Sequence, residues 1–304
     1  MINSRLRKPK TKWQKRKERI RNTWRLFKET KVGLIGIGIL LFFAIMAFAS
    51  FIPPRIDEMY IPLYGADPDI VTISSPSLKH FLGTDSMGRD LFSQLLEGSK
   101  WALIIGVTAA TVSVVLSTVV GLVSGYYGGV VDVLLQRTAE VVMTLPGFPL
   151  IVIIGSLLRG VSIWNIVVLI SLLGWPGASK VIRAQVLSLK ERPFIDSARI
   201  SGASNFRIVF RHIAPNILPL SFLYMTFGVT GAILMEAALS FIGLGDPTTV
   251  SWGMMLQWCY RSGFIYKAPF WVLPPGLCIT LLALAFYLIG MGTEQIINPR
   301  LRKR

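Results

Sequence analysis

Six stretches of the chain are long and apolar enough to cross a bilayer: Gly33–Ile52, Trp101–Ser124, Val130–Leu157, Val161–Ala178, Asn216–Phe241 and Trp271–Met291. Polar, basic or proline-rich segments separate them. The first holds twenty residues without a charge, and as a helix it runs roughly 30 Å, the thickness of a hydrocarbon core. The pattern predicts an all-α integral membrane protein with six transmembrane helices. Two of the six are interrupted. The third carries Arg137 and Glu140 near its start and Pro146, Gly147 and Pro149 midway, and the fourth ends in Gly174-Trp175-Pro176-Gly177. Proline is tolerated in a spanning helix where neighbouring helices or a cavity re-satisfy the backbone, so both are expected to face protein and not lipid.

Composition agrees with this reading. The 304 residues are 52% hydrophobic and 16% charged, against about a quarter charged in soluble domains. Cys259 and Cys278 make no disulfide framework and read as small packing residues. Ala47-Phe48-Ala49 resembles a cleavage site, but the basic region before the first span is long and the apolar run is of span length, which predicts a retained anchor and not a signal peptide.

A net charge of +16 would suggest nucleic acid in a soluble chain. Its distribution gives another answer. With the N-terminus placed in the cytoplasm, the inside segments 1–31, 125–129, 180–215 and 293–304 hold 24 of the 32 basic residues and the outside segments hold 7. The first outside segment instead gathers Asp57, Glu58, Asp67, Asp69, Asp85, Asp90 and Glu97. The positive-inside rule therefore places both termini in the cytoplasm. The basic arm from Arg5 to Lys31 abuts a span, where anionic lipid explains it without nucleic acid. The expected organisation is a basic cytoplasmic arm (1–32), a first span (33–52), an extracytoplasmic segment (53–100), a five-helix core (101–292) with a cytoplasmic loop at about 190–215, and a basic tail (293–304).

One inside segment, Asp196 to Pro219, is both basic and amphipathic. As a helix from Phe206, the residues Phe206, Val209, Phe210 and Ile213 follow i, i+3, i+4, i+7 and gather on one face. Arg207 and Arg211 form a separate stripe, and Gly202 suits a sharp turn before them. Such a helix fits a groove on a partner protein or a place in the headgroups; periodicity alone leaves both open.

At this point the residues resemble a family. Asp196-Ser197-Ala198, then Gly202, then Pro215 thirteen positions after the glycine, resemble the EAA loop of prokaryotic ABC importer permeases. Aspartate stands for the glutamate and serine for the first alanine. Arg211-His212-Ile213-x-Pro215-Asn216 is similar to the form found in the peptide-importer branch. Four further stretches resemble that branch in order and at its spacing: His80-Phe81-Leu82-Gly83-Thr84-Asp85-Ser86-Met87-Gly88-Arg89-Asp90; Tyr126-Tyr127-Gly128-Gly129 with Asp132; Ile233-Leu234-Met235-Glu236 through Gly245 and Ser251-Trp252-Gly253; and Asn298-Pro299-Arg300-Leu301-Arg302. The resemblance runs from about residue 80 to the C-terminus and is to the C-type permease of oligopeptide, dipeptide and nickel importers.

The resemblance implies a type I importer fold in a prokaryotic cell membrane and one half of a heterodimeric pore. The other half would be a B-type permease. Two ATPase subunits would bind ATP and Mg, so that this chain holds no cofactor or metal, and an extracytoplasmic binding protein would deliver the substrate: a peptide, or nickel or an oligosaccharide in some members. It also implies that Asp196, Ala198, Gly202, Phe206, Arg207, Val209, Phe210, Arg211, Ile213 and Pro215 form the coupling helix. The apolar residues would anchor it in the ATPase or against the permease's own core, and the arginines would rim the contact. Independently, the sequence contains no G-x-x-x-x-G-K-[ST] phosphate loop and no H-E-x-x-H, and its two histidines fall on opposite sides of the membrane, so a non-catalytic chain is expected.

Glu140 and Glu236 are carboxylates within spans, which makes them functional candidates. Neither falls at the midplane where self-sufficient ion-coupled carriers place their sites. Each is read as a gate or a structural hydrogen bond, Arg137 being the natural partner of Glu140. The segment 53–100 is long enough to have work of its own. Its Gly83, Thr84, Asp85, Gly88, Arg89 and Asp90 suit either a contact with the binding protein or partner permease, or turn chemistry that sets the start of the second span. Trp252, Trp258 and Trp271 are expected as interfacial anchors.

Overall fold

The computed structural model describes Trp13 and residues 30–51, 65–67, 69–70, 73–157 and 162–297. The rest of the basic arm, the tail motif Asn298–Arg302 and the prolines Pro53, Pro54, Pro62 and Pro68 lie outside the described residues. The helices are α1 (Lys31–Ala49), α2 (Leu91–Tyr127), α3 (Gly129–Thr144), α4 (Gly147–Leu157), α5 (Ile163–Lys190), α6 (Pro193–Ile200), α7 (Asn205–Arg207), α8 (Ala214–Leu239), α9 (Trp252–Arg261) and α10 (Pro269–Ile297). A π-helical turn, Ile208–Ile213, joins α7 to α8, and a second, Ser240–Leu244, ends α8. Among the described residues, five helical stretches suffice in length and hydropathy to cross a membrane, and α3 with α4 makes a sixth, bent by 83°.

Helices extend past the apolar runs. The second span was expected from Trp101 and its helix begins at Leu91; the fourth was expected to end at Ala178 and its helix continues to Lys190. Apolar runs report hydrocarbon contact, whereas a helix continues as long as its backbone bonds are made, and these ends project beyond the run.

Helices α2 and α5 form the central pair. Gly121 and Gly125 of α2 let it approach closely: a Cβ on Gly121 would lie 2.6 Å from Ile182 Cγ2, and one on Gly125 2.8 Å from Val186 Cβ. Small residues at such contacts allow dense packing where lipid removes the hydrophobic drive between helices. Hydroxyls add cross-helix bonds, Ser117 Oγ to the Trp175 carbonyl at 2.7 Å beside Pro176 and Ser171 Oγ to the Ala109 carbonyl at 3.1 Å. Helix α8 packs on α2, and α10 on α8 and α1.

The interrupted third span behaves otherwise. Within this chain α3 buries only Ala139, and α4 only Ile151 and Gly155. The expectation that it faces protein therefore fails for contacts inside the chain. Leu145, extended before Pro146, breaks the helix, because proline removes an N–H and clashes with the preceding turn. Of the three tryptophans expected as interfacial anchors, Trp252 and Trp271 are core residues: Trp252 Nε1 donates to the Leu95 carbonyl at 3.0 Å and its ring meets Phe43 edge-on, while Trp271 stacks on Phe264. Both cysteines are free and buried.

Candidate functional site

Asp196–Pro215 sits at the end of the bundle where α5 stops. Pro193 occupies the first turn of α6, where its missing N–H costs nothing. The helix ends in a Schellman motif. The Ala203 N–H donates to the Ala198 carbonyl at 3.0 Å and the Gly202 N–H to the Arg199 carbonyl at 2.9 Å, with Gly202 at φ +76°. A side chain on Gly202 would meet nothing within 4 Å, so conformation and not space requires the glycine. Ser204 then caps the next helix through the Arg207 N–H.

The four residues expected on one face are divided between two. Val209 and Ile213 are buried in a cluster with Ile195, Ile208, Ile182, Val186, Leu122 and Tyr126. Phe206 and Phe210 are 70% and 58% exposed, their rings 4.4 Å apart. The reason is the π turn over Ile208–Ile213: its wider repeat changes the angular register assumed for a 3.6-residue helix, so Ile208, not Phe206, shares the inward face. Arg207, Arg211 and Pro215 are exposed, as is Asp196, which pairs with Arg199 at 3.6 Å. Ala198 is half-buried. The outward surface thus presents Phe206 and Phe210 between Arg207 and Arg211, with exposed Ile200 nearby in sequence.

Three residues that sequence reasoning did not single out hold this segment in place. Ile195 is the one buried residue of α6. Tyr126, at the end of α2, donates its hydroxyl to Asn205 Oδ1 at 2.8 Å, and Lys190 Nζ donates to the Tyr126 carbonyl at 2.6 Å. Tyr126 was visible only as part of a turn motif; its partner lies 79 positions away.

At the opposite end of α2, the residues His80–Asp90 fold into a closed clasp. Asp85 Oδ1 accepts from the Met87 and Arg89 N–H groups at 2.8 and 3.0 Å, while Oδ2 accepts from Arg89 Nε at 2.6 Å and Gln94 Nε2 at 3.0 Å. Asp90 caps α2 through the Ser93 N–H at 2.7 Å and accepts His80 Nδ1 at 3.0 Å. Arg89 lies over the Trp258 ring, 4.3 Å from its centroid. Gly83 (φ +77°) and Gly88 (φ +75°) make turns against backbone: a Cβ on Gly83 would fall 2.3 Å from the Ser74 carbonyl oxygen. Thr84, Asp85, Arg89 and Asp90 are buried. The side chains of Asp85, Arg89 and Asp90 thus serve the turn that starts α2. Asp67 belongs to the same clasp; its ion pair with Lys79 and the Asp69 N–H hold its carboxyl below the usual value of 3.8.

Glu236 is buried near the end of α8 and accepts Ser240 Oγ at 2.6 Å. Glu140 pairs with Arg137 at 2.8 Å, and Lys180 of α5 approaches it at 3.7 Å. No group of three or more His, Cys, Asp or Glu among the described residues is arranged to hold a metal.

The family model described as binding-protein-dependent transport system inner membrane component matches residues 117–303. A putative peptide permease protein of Brucella suis is 34% identical over 278 residues, covering 90% of this chain and 89% of that protein. The dipeptide transport system permease protein DppC of Alkalihalophilus pseudofirmus is 33% identical over 93% of this chain and 90% of its own length. The glutathione transport system permease protein GsiD of Pectobacterium atrosepticum is 34% identical, with 93% and 91% covered. Among solved structures, a chain of the MetNI methionine ABC transporter in an inward-facing form has a TM-score of 0.50 at 20% identity, covering 69% of this chain and 97% of that one; it shares the fold.

Proposed function

Since the chain belongs to the family of binding-protein-dependent transport system inner membrane components, the permeases of ABC importers, we propose that it forms half of a peptide-importing pore and that Asp196–Pro215 transmits the ATPase stroke to it. The other half is a second, B-type permease; two ATPase subunits bind ATP and Mg and perform hydrolysis, and this chain performs none. An extracytoplasmic binding protein delivers di- or oligopeptides. Both termini and the α6–α7 segment lie in the cytoplasm, and the clasp before α2 lies outside.

The observation that carries this reading is the two-sided coupling segment. Ile195, Ile208, Val209 and Ile213 bury one side of it in the bundle, and the Phe206–Phe210 pair with Arg207 and Arg211 faces outward. A segment gripped on one side by the spans, with unpaired aromatic surface on the other, is built to pass a displacement from a docked protein into the membrane. ATP that prefers the closed ATPase pair then biases the pore toward one of two states, which is alternating access by linkage. The test is Gly202→Leu in the complete assembly. The left-handed turn disfavours any side chain by roughly 1–2 kcal/mol, so the four-subunit core should still assemble while ATP-driven uptake falls; unchanged uptake would remove the coupling role.

A further inference from the structure

Between α3 and α5 lies a cleft of about 400 Å³ walled by Asp132, Gln136, Arg137 and Glu140 from α3 and Lys180 and Arg183 from α5. Arg137 stands eight residues beyond Gly129, about 12 Å along α3 from its coupling-segment end. Asp132 and Arg183 neutralise each other in a two-pronged pair at 2.5 Å. Glu140 is left to serve both Arg137 at 2.8 Å and Lys180 at 3.7 Å. The lining therefore keeps one positive charge in excess. The Arg137 side chain is 77% exposed and engages Glu140 through Nη1, so most of its five donors remain open to the cleft.

The neighbours of Arg137 along the same stripe are the exposed Val133, Leu134 and Val141. Taken without their charged neighbours, these three side chains would suit acyl chains. Five ionised groups beside it do not, because charges at membrane depth face a bundle interior or a water-filled cavity.

We propose that this cleft is a water-filled station on the translocation path, near its cytoplasmic mouth, where Arg137 and Lys180 receive the carboxylate of the peptide in transit. This rests on the importer reading above and sharpens its substrate class. A planar guanidinium matches a carboxylate in two-pronged geometry, with Glu140 holding the arginine in place. The excess positive charge opposes a bare divalent cation, and a neutral sugar has no charge to answer it. The exposure of both cations keeps the hold weak, as a site that must also release requires.

The experiment uses the complete importer in inside-out vesicles with Val133→Cys, whose thiol would stand in the cleft wall. Cys259 and Cys278 are buried, so the parent protein supplies the background. Two membrane-impermeant methanethiosulfonates are compared, the anionic sulfonatoethyl and the cationic trimethylammonium-ethyl reagent, each normalised to its rate with free glutathione. The expected result is labelling by both, with the anionic reagent favoured by about threefold to tenfold. Arg137→Gln in the same background should erase the preference, and trialanine should slow labelling where trialaninamide does not. Absence of labelling in both resting and vanadate-trapped states would overturn the water-filled path. Labelling without charge preference, or equal protection by acid and amide, would overturn the carboxylate assignment. A preference that emerges only in vesicles free of anionic lipid would assign the site to a lipid phosphate and overturn it as well. Labelling needs no uptake, so these outcomes stand apart from any failure of the importer reading, which co-purification of the ATPases and second permease tests.

Discussion

The clasp before α2 and the coupling segment after α5 are written in the same vocabulary of glycine, aspartate and arginine, yet they fold to opposite ends. In the clasp, Asp85 meets Arg89, Gln94 and two backbone N–H groups, and all of it is buried. In the coupling segment, Asp196 and Arg199 make only a long exposed pair, and Phe206 and Phe210 stand in the open. One region spends its polar groups on itself; the other leaves its surface for another molecule. The difference teaches that a charged, glycine-rich motif between spans signals either a fold or an interface, and that burial of its partners tells which.

The sharpest way to break the contrast is Asp85→Ala. It leaves a buried guanidinium without its carboxylate, a change that costs roughly 3–5 kcal/mol, and it removes the oxygen that accepts from two turn N–H groups as well. The expected outcome is a large fall in the thermal midpoint of the purified assembly and less protein in the membrane. If the midpoint held while substrate delivery failed, the clasp would be a contact surface after all.

The reciprocal change is Phe206→Ala with Phe210→Ala. Both side chains are exposed, so this chain's own stability should move by no more than about 0.5 kcal/mol. Retention of the ATPase subunits during purification should instead drop by about tenfold or more, since truncating clustered aromatic anchors commonly costs 2 kcal/mol or more at an interface. A stability loss with normal ATPase retention would reverse the roles of the two regions.

The smallest effect concerns acid. Asp67 is held below the ordinary carboxylate value by Lys79 and the Asp69 N–H. A depressed carboxyl contributes stability that is present above its unfolded value and is lost as pH falls through the lower folded value. Thermal midpoints measured from pH 6 to pH 3 should therefore fall more steeply at the acid end for the parent protein than for Asp67→Asn. Parallel curves would show that the Lys79 pair contributes nothing to the clasp.

Much of this was legible along the chain. The six apolar runs anticipated the spans, Pro146 the break between α3 and α4, and Gly202 the left-handed turn. These are local matters: chain length against bilayer thickness, a missing N–H, a backbone angle that favours glycine. Which way side chains turned was less so. The helical periodicity placed Phe206, Val209, Phe210 and Ile213 together, and the π turn separated them; composition placed Trp252 and Trp271 at an interface, and packing drew both into the core.

The sequence by itself determined that this is a helical membrane protein with a broken third span, and which segment resembles a coupling loop, because hydropathy, proline and glycine act within a few residues of where they stand; the interruption expected in the fourth span is not found, since α5 runs as one helix through Pro176. Only the tertiary structure decided that Asp85 closes on Arg89 and Gln94, that Tyr126 reaches Asn205, and that Lys180 of α5 joins the Arg137–Glu140 pair of α3. Whether a charge is spent inward or left to meet a partner depends on what long-range packing brings beside it, and that is set by the approach of helices distant in sequence.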